Sequence, residues 1–106
     1  MSPQLLQINY TFKGSRADFE REFRPVAGEI ARVPGLRWKI WLINEAKSRG
    51  GGSYLFDDER SLRAYLNGPV VAALKSHPAF GDLSVQEFAV LEGPTAATRG
   101  PIEGSP

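Results

Sequence analysis

The sequence of 106 residues predicts an α+β domain with a four-stranded antiparallel sheet and two helices on one face. Its segments read strand, helix, strand, strand, helix, strand from their hydrophobic periodicity. Right-handed crossovers bring both helices to the same face of such a sheet, which is the ferredoxin-like βαββαβ arrangement. One strand, residues 36–46, is apolar on both faces and therefore needs a cover on each side.

The first strand and the first helix follow from simple patterns. Residues 5–12 alternate and place four large apolar side chains on one face, namely Leu6, Ile8, Tyr10 and Phe12. Ser15 is a typical helix N-cap, and Asp18 stands at the position of a capping-box acid. Pro25 then removes a backbone donor within the apolar stripe, so we expect one helix in two segments.

Both tryptophans of the chain lie in the second strand, and they point to opposite sides. Trp38 shares its side with Ile40 and Leu42, whereas Trp41 shares the other side with Ile43. The two helices can cover only one of these sides, and the other is too apolar to face water. The sequence therefore predicts a homodimer in which two sheets pack face to face around a barrel-like centre.

Three consecutive glycines, residues 50–52, precede a third strand that we place at residues 53–56. Glycines here indicate a hairpin exit or a bulge where backbones approach closely. The alternative is that the missing side chains leave room for a ligand beside the tryptophans. No Gly-Lys-Ser/Thr follows them, so this is not a phosphate-binding loop.

The second helix and the last strand complete the domain, which we place at residues 1–92. Asp57 or Asp58 caps the helix, Gly68-Pro69 splits it, and His77-Pro78 ends it. The last strand is predicted at residues 82–91. Residues 93–106 form a tail rich in proline and glycine, expected to be disordered or draped on a partner subunit.

Composition excludes several classes of function. A net charge of +1 without a basic block argues against nucleic acid as a partner. The chain has no cysteine, so disulfides, thiolate metal sites and thiol nucleophiles are excluded, and a single histidine excludes multi-histidine metal sites. The first 12 residues do not read as a secretory signal, and no apolar run suits a membrane span, so we expect a cytoplasmic protein without a membrane partner.

Several motifs, in one order, resemble the YdhR-type putative mono-oxygenase family. The most specific are the mid-helix Arg24-Pro25-Val26-Ala27, the strand Trp38-Lys39-Ile40-Trp41 and the segment Gly51-Gly52-Ser53-Tyr54-Leu55-Phe56. The resemblance covers roughly residues 4–76, and the tail has no counterpart in it. It implies a dimeric α+β barrel and a mono-oxygenase that acts on a small quinol-like or polyketide-like aromatic compound without metal, flavin or other cofactor. Gly68-Pro69 and residues 76–80 depart from the pattern and are expected to reshape the pocket mouth.

Seven residues are candidates for a site that binds an aromatic compound. The candidates for catalysis carry hydrogen-bonding groups that could hold a ligand oxygen, and they are Asn9, Trp38 and Tyr54. The candidates for substrate binding are aromatic, and they are Tyr10, Trp41, Phe56 and Tyr65. Each of the aromatic candidates also fits a role in packing alone.

Two other functions compete with the oxygenase. The same scaffold could serve a non-enzymatic dimer that binds a small ligand or takes part in a stress response. The third candidate is a protein that binds or degrades haem. Dimeric α+β barrel proteins that degrade haem use a helix histidine together with an asparagine and a tryptophan. His77, Asn9 and either Trp38 or Trp41 resemble that set.

Overall fold

The computed structural model describes residues 2–102 and shows the predicted four-stranded antiparallel sheet. The elements in chain order are β1 (Gln4–Phe12), α1 (Arg16–Ala31), β2 (Leu36–Asn44), β3 (Arg49–Phe56), α2 (Glu59–Leu66), α3 (Pro69–Ser76), β4 (Phe80–Ala89) and α4 (Glu92–Ala97). The strand order is β2-β3-β1-β4, so the first and third strands are central. This is the ferredoxin-like order that the segment pattern predicts.

The core lies on the face of the sheet covered by the helices. The inward side of β1 is the one that its alternation predicts, and Leu6 and Ile8 are almost completely buried there. Tyr54 and Phe56 of β3 join them from the next strand, and Leu62 and Tyr65 close over them from α2. Trp41 and Ile43 pack against the same cluster, which places the inward side of β2 as predicted.

Helix α1 is a single helix of 16 residues, so the expected division at Pro25 is wrong. The predicted capping box is present: the Ser15 hydroxyl accepts from the Asp18 amide, and an Asp18 carboxylate oxygen accepts from the Ser15 amide. Pro25 itself is exposed. Water can therefore solvate the carbonyl that the missing amide would have bound, and the helix continues past the proline.

Strand β3 begins at Arg49, which corrects the predicted start at residue 53. Gly50, Gly51 and Gly52 are paired in regular register with both β1 and β2, so they form neither a hairpin exit nor a bulge. Close approach does explain them. A Cβ atom at Gly50 would lie 2.5 Å from the Phe19 ring, and one at Gly52 would lie 2.5 Å from the Lys39 Cε atom. Side chains of this protein therefore occupy the space that the alternative assigned to a ligand.

The helix after β3 is split as predicted. Asp58, the second of the two predicted caps, accepts a hydrogen bond from the Ser61 amide at 2.8 Å. Gly68 is the N-cap of α3 and Pro69 its first residue, where a missing amide costs nothing. His77 ends α3, and β4 then begins at Phe80, two residues before the predicted start.

The chain after β4 is not disordered as far as residue 102. Residues 92–97 form α4, which corrects that expectation. The Trp38 indole donates to the Pro101 carbonyl oxygen at 2.6 Å, and Arg37 donates to the Ile102 carbonyl oxygen. The described part of the tail is thus attached to β2 of its own chain. Residues 103–106 lie outside the described residues, and draping on a partner stays a prediction.

Candidate functional site

A cavity of about 170 Å³ lies between the helices and the sheet, on the face that carries the core. Its floor is formed by Tyr10, Lys39 and Tyr54 from three neighbouring strands. Its roof comes from α1, α2 and α3, including Phe23, Tyr65 and Val70. We call this space the helix–sheet cavity. It is concave and mostly apolar with a few polar groups, as small-molecule sites are.

A wider groove of about 420 Å³ adjoins the cavity between α1 and α2. The two spaces share Glu29, Tyr65, Pro69 and Val70 in their walls. The groove reaches the size range of small-molecule pockets, roughly 300–1,000 Å³, which the cavity alone does not. The break at Gly68-Pro69, a departure from the family pattern in the sequence, adjoins both spaces: Gly68 lines the groove, and Pro69 lies in the shared wall.

Three buried tyrosines bring hydroxyl groups to the helix–sheet cavity. Tyr54 and Tyr65 form a pair in which the Tyr65 hydroxyl donates to the Tyr54 oxygen at 3.1 Å. Tyr10 lines the same cavity and is 3% exposed. Burial raises the pKa of all three side chains above the ordinary value, because the phenolate form loses its hydration. At neutral pH they are therefore neutral groups that can donate a hydrogen bond.

Lys39 lines the cavity, and sequence reasoning did not select it as a candidate. Its Nζ atom lies 3.3 Å from the Trp41 ring centroid and 4.5 Å from that of Tyr54. Burial lowers the pKa of Lys39 from 10.5 to about 7. A signal was available in the sequence, since the alternation of β2 places Lys39 on the same side as Trp41 and Ile43.

Glycine in the neighbouring strand makes room for this lysine. The Cα of Gly52 faces the Lys39 side chain, and a Cβ there would lie 2.5 Å from Cε and 3.4 Å from Nζ. A larger residue at position 52 would therefore displace the ammonium group. The glycine run and the lysine belong to one arrangement.

Acidic and basic groups also line the cavity on the helix side. The His77 Nε2 atom lies 3.2 Å from a Glu22 carboxylate oxygen, and His77 Nδ1 accepts from the Ala79 amide at 3.1 Å. Both ring nitrogens of His77 thus have partners within the chain. Glu29 stands where the cavity and the groove meet.

The structure divides the seven predicted site residues between the two faces of the sheet. Tyr10, Tyr54 and Tyr65 line the helix–sheet cavity together. Trp41 lies behind the Lys39 ammonium group, and Phe56 is fully buried in the core. Asn9 and Trp38 project from the opposite face of the sheet. The seven residues therefore do not form one site.

The opposite face has its own polar contacts. The Asn9 side-chain oxygen accepts from the Gln7 amide group at 2.9 Å, and the Gln7 side-chain oxygen accepts from the Ser53 hydroxyl. Asn9 and His77 consequently cannot contact one ligand from the same side of the sheet. The histidine–asparagine–tryptophan set of the haem alternative is not assembled within this chain.

No metal or membrane-spanning element is indicated in the part of the chain that the structure describes. Between residues 2 and 102, no three side chains of histidine, aspartate or glutamate converge as metal ligands would. None of the helices in that range has the length and hydropathy needed to cross a membrane.

Comparison with solved structures finds the same fold in proteins of distant sequence. NE2512, a protein of unknown function from Nitrosomonas europaea, has a TM-score of 0.72 and 22% identity, covering 86% of this chain and 91% of that one. SnoaB, a cofactor-independent oxygenase from Streptomyces nogalater, has a TM-score of 0.69 and 19% identity, covering 87% and 96%. The heme-degrader MhuD from Mycobacterium tuberculosis has a TM-score of 0.63 and 24% identity, covering 82% and 95%. At these identities the likeness establishes the fold alone.

Comparison at the level of sequence identifies the family. No curated protein sequence matches the chain. The family described as "Putative mono-oxygenase ydhR" matches residues 5–101, which extends the resemblance past residue 76 and through α4. The matched region includes every strand and helix of the structure except the first residue of β1. The chain therefore belongs to the ydhR family.

Proposed function

We propose that this protein is a cofactor-independent mono-oxygenase that acts on a small aromatic, quinol-like or polyketide-like compound in the helix–sheet cavity. The observation that carries the proposal is the composition of that cavity, where three buried tyrosine hydroxyls and an aromatic wall converge on one space. Family membership and the shared fold with a cofactor-independent oxygenase support the reaction type. The adjoining groove provides the route by which the substrate enters.

The reaction of the substrate with O₂ requires few groups from the protein. An anthrone-type substrate loses a proton from the hydroxyl group of its enol tautomer, and the resulting anion, whose charge is shared with the former methylene carbon, gives electrons to O₂. Collapse of the peroxide leaves one oxygen atom in the new carbonyl group and releases the other as water, so that CH₂ and O₂ become C=O and H₂O. The protein has to bind the substrate, stabilise the anion and exclude bulk water.

Tyr54 is the hydroxyl donor in this proposal. Because it accepts from Tyr65, its own proton is available to a substrate oxygen on the cavity floor. A hydrogen bond to a developing oxyanion is stronger than one to a neutral oxygen, which favours the anion over the neutral substrate. Asn9 and Trp38 are on the other face, and their predicted catalytic roles stay predictions for a site completed there.

Oxygen uptake tests the reaction directly. The purified protein is mixed with a panel of hydroquinones and anthrones without metal, flavin or nicotinamide, and O₂ is followed with an electrode. Uptake above buffer, lowered at least tenfold by Tyr54→Phe, supports the proposal. Tight binding of the same compounds without uptake supports instead the non-enzymatic ligand-binding protein. The Tyr54→Phe variant removes one oxygen atom and keeps the ring, so packing is preserved.

We also propose the predicted homodimer, formed through the face of the sheet that the helices leave open. Ile40 is 50% exposed and Phe88 is 47% exposed on this face, with Leu42 beside Ile40 on the same strand. Apolar side chains grouped in this way mark an interaction surface. Sedimentation velocity should show a dimer, and Ile40→Glu should yield monomers because it would bury an unpaired charge. A wild-type monomer at micromolar concentration would contradict the proposal. The cytoplasmic location stays a prediction.

A further inference from the structure

Lys39 is a cationic side chain placed inside a cavity that otherwise holds neutral hydroxyls and aromatic rings. Within residues 2–102, no carboxylate lies within ion-pair distance of its Nζ atom and no acceptor forms a hydrogen bond with it. Its ammonium group lies over the rings of Trp41 and Tyr54 and, at 6.0 Å from the centroid, over that of Phe23. A buried lysine is usually paired, because an isolated buried charge is costly. An unpaired lysine on a cavity floor is suited to contact an acidic or anionic group of a bound ligand.

We propose that Lys39 Nζ receives the hydroxyl group of the substrate, takes its proton, and then holds the oxyanion that results. This inference rests on the proposed oxygenase function and narrows its substrate to phenols and enols. The site thereby selects acidic hydroxy-aromatic compounds over neutral hydrocarbons or ethers of the same shape. Lys39 is then a catalytic residue, since it contacts the reacting oxygen.

The step balances as a simple proton transfer. The lone pair of the neutral Lys39 amine forms a new N–H bond, and the substrate O–H bond breaks with its electron pair left on oxygen. The products are an ammonium and a phenolate or enolate in contact. Because burial holds the pKa of Lys39 at about 7, a substantial fraction of the side chain is neutral at physiological pH. After the transfer, the Lys39 ammonium group lies beside the substrate oxyanion. This contact offsets the cost of holding the ammonium charge away from water.

The other titratable groups facing the cavity are less suited to this step. They come from every element packed around Lys39 and are Tyr10, Glu22, Glu29, Tyr54, Tyr65 and His77. The three tyrosines are protonated at neutral pH because their pKa values are raised, so they can donate but cannot accept the proton. Glu22 and His77 are occupied with each other on the helix side. Glu29 lies at the junction with the groove, where it can reach water.

A substitution at Gly52 tests the role of Lys39 without changing Lys39 itself. Alanine at this position would place a Cβ 2.5 Å from Lys39 Cε, so the ammonium must move while its chemistry is unchanged. Gly52 is a positioning residue in this sense. Gly93 offers a matched control, because a Cβ there meets nothing within 4 Å.

A chromogenic phenol tests the assignment without relying on turnover. The probe is 4-nitrophenol, whose phenolate absorbs at longer wavelength than the phenol, titrated by pH with and without saturating protein. Wild-type protein should lower the probe's apparent pKa by about one unit, a tenfold preference for the anion. Lys39→Met should abolish the shift, and Gly52→Ala should reduce it. Lys47→Met, at the exposed hairpin, and Gly93→Ala should leave it unchanged.

Lys39→Arg separates the two parts of the role. Arginine keeps a cation but does not accept a proton, so this variant should still bind the phenolate and lower the probe's apparent pKa, yet its rate of oxygen uptake should fall at pH values where the free substrate is protonated. Circular dichroism and thermal melting check that every variant is folded. An equal pKa shift in wild-type and Lys39→Met protein, or no shift with the wild type, would overturn the assignment. If the shift depends on Lys39 and no compound supports uptake, the oxygenase proposal fails while the anion site stands.

Discussion

Both faces of the sheet carry large apolar side chains, but the two faces differ in what covers them. On the helix side, Phe56 and Leu6 are fully buried, and the helix–sheet cavity among the packed side chains is lined by several polar groups. On the open side, Ile40 and Phe88 are about half exposed. The end of that face near Trp38 is covered in part by residues 98–102, through the bond from Trp38 to Pro101.

This difference shows how one strand can serve two surfaces at once. Residues of β2 alternate between a site-forming side, with Lys39 and Trp41, and an outward side, with Trp38 and Ile40. A change on the first side should alter stability and ligand binding within one chain. A change on the second side should alter association between chains and the docking of the C-terminal segment. Substitutions on each side of the strand therefore separate the two roles.

Replacement of a phenylalanine on each face should give the largest contrast. Phe56→Ala removes a fully buried ring and should lower the free energy of unfolding by about 3–5 kcal/mol. Phe88→Ala removes a ring that is 47% exposed and should change it by less than about 1 kcal/mol in dilute protein. Urea denaturation followed by circular dichroism measures both. A comparable loss for Phe88→Ala at a concentration where the proposed dimer persists would support burial of the open face between two subunits.

Lys39→Met should stabilise the protein in a manner that depends on pH. The pKa of Lys39 falls from 10.5 in the unfolded chain to about 7 in the folded one, so the unfolded chain binds more protons between these values. Wild-type stability therefore rises as pH increases from 7 to 10.5. The variant's advantage should be about 2–4 kcal/mol at pH 6 and should decline across that window. Contacts with Trp41 and Tyr54 offset about 0.5–2 kcal/mol of the cost in the wild type.

The pH dependence has a matched control on the exposed surface. Lys47→Met at the hairpin should change stability little and without a trend between pH 6 and pH 10. Melting temperatures of the wild type and both variants across this range provide the measurement. A constant difference between wild type and Lys39→Met at all pH values would show that Lys39 is charged in the folded protein throughout.

The hydrogen bond between Tyr65 and Tyr54 should make a smaller contribution to the free energy of unfolding. Tyr65→Phe removes the donor to Tyr54 inside the core and should cost about 1–2 kcal/mol. The double variant with Tyr54→Phe should cost less than the sum of the two single changes, because each single change leaves one hydroxyl without its partner. Additive losses in urea denaturation would indicate that the two hydroxyls do not interact.

Alkaline titration probes the same environment on the helix side. The chain has three tyrosines, and all three have raised pKa values because they are buried. Phenolate absorbance should therefore not appear near pH 10, and should appear together with unfolding at higher pH. Ionisation of one tyrosine near pH 10 in folded protein would mean that its hydroxyl is open to water.

Trp38→Phe should have the smallest effect on global stability. It removes the indole donor to the Pro101 carbonyl oxygen at a partly exposed site and should cost no more than about 1 kcal/mol. Hydrogen exchange should nevertheless become faster at residues 98–102, since this bond attaches the segment to β2. Unchanged exchange there would show that Arg37 alone, through its bond to Ile102, holds the segment.

Local sequence patterns were sufficient for most of the fold. The alternation of β1 identified its buried side, Ser15 and Asp18 identified the start of α1, and Gly68-Pro69 identified the break between α2 and α3. Each of these rests on interactions within a few residues, which a sequence displays directly. The predictions that are wrong depend on exposure to solvent and on side chains that are distant in the sequence. Pro25 is tolerated because its side of α1 is exposed, and the glycines of β3 lie inside a strand because other side chains need their space.

The sequence by itself determined the family, the order of strands and helices along the chain and the opposite directions of the two tryptophans, because motif order and the period of a strand are properties of the chain. Only the tertiary structure decided which of the predicted residues share a space. Tyr10, Tyr54 and Tyr65 meet Lys39 because strands from distant parts of the sequence are hydrogen-bonded side by side beneath the helices. The chemistry of Lys39 likewise depends on burial, which results from the packing of the whole domain rather than from its neighbours in sequence.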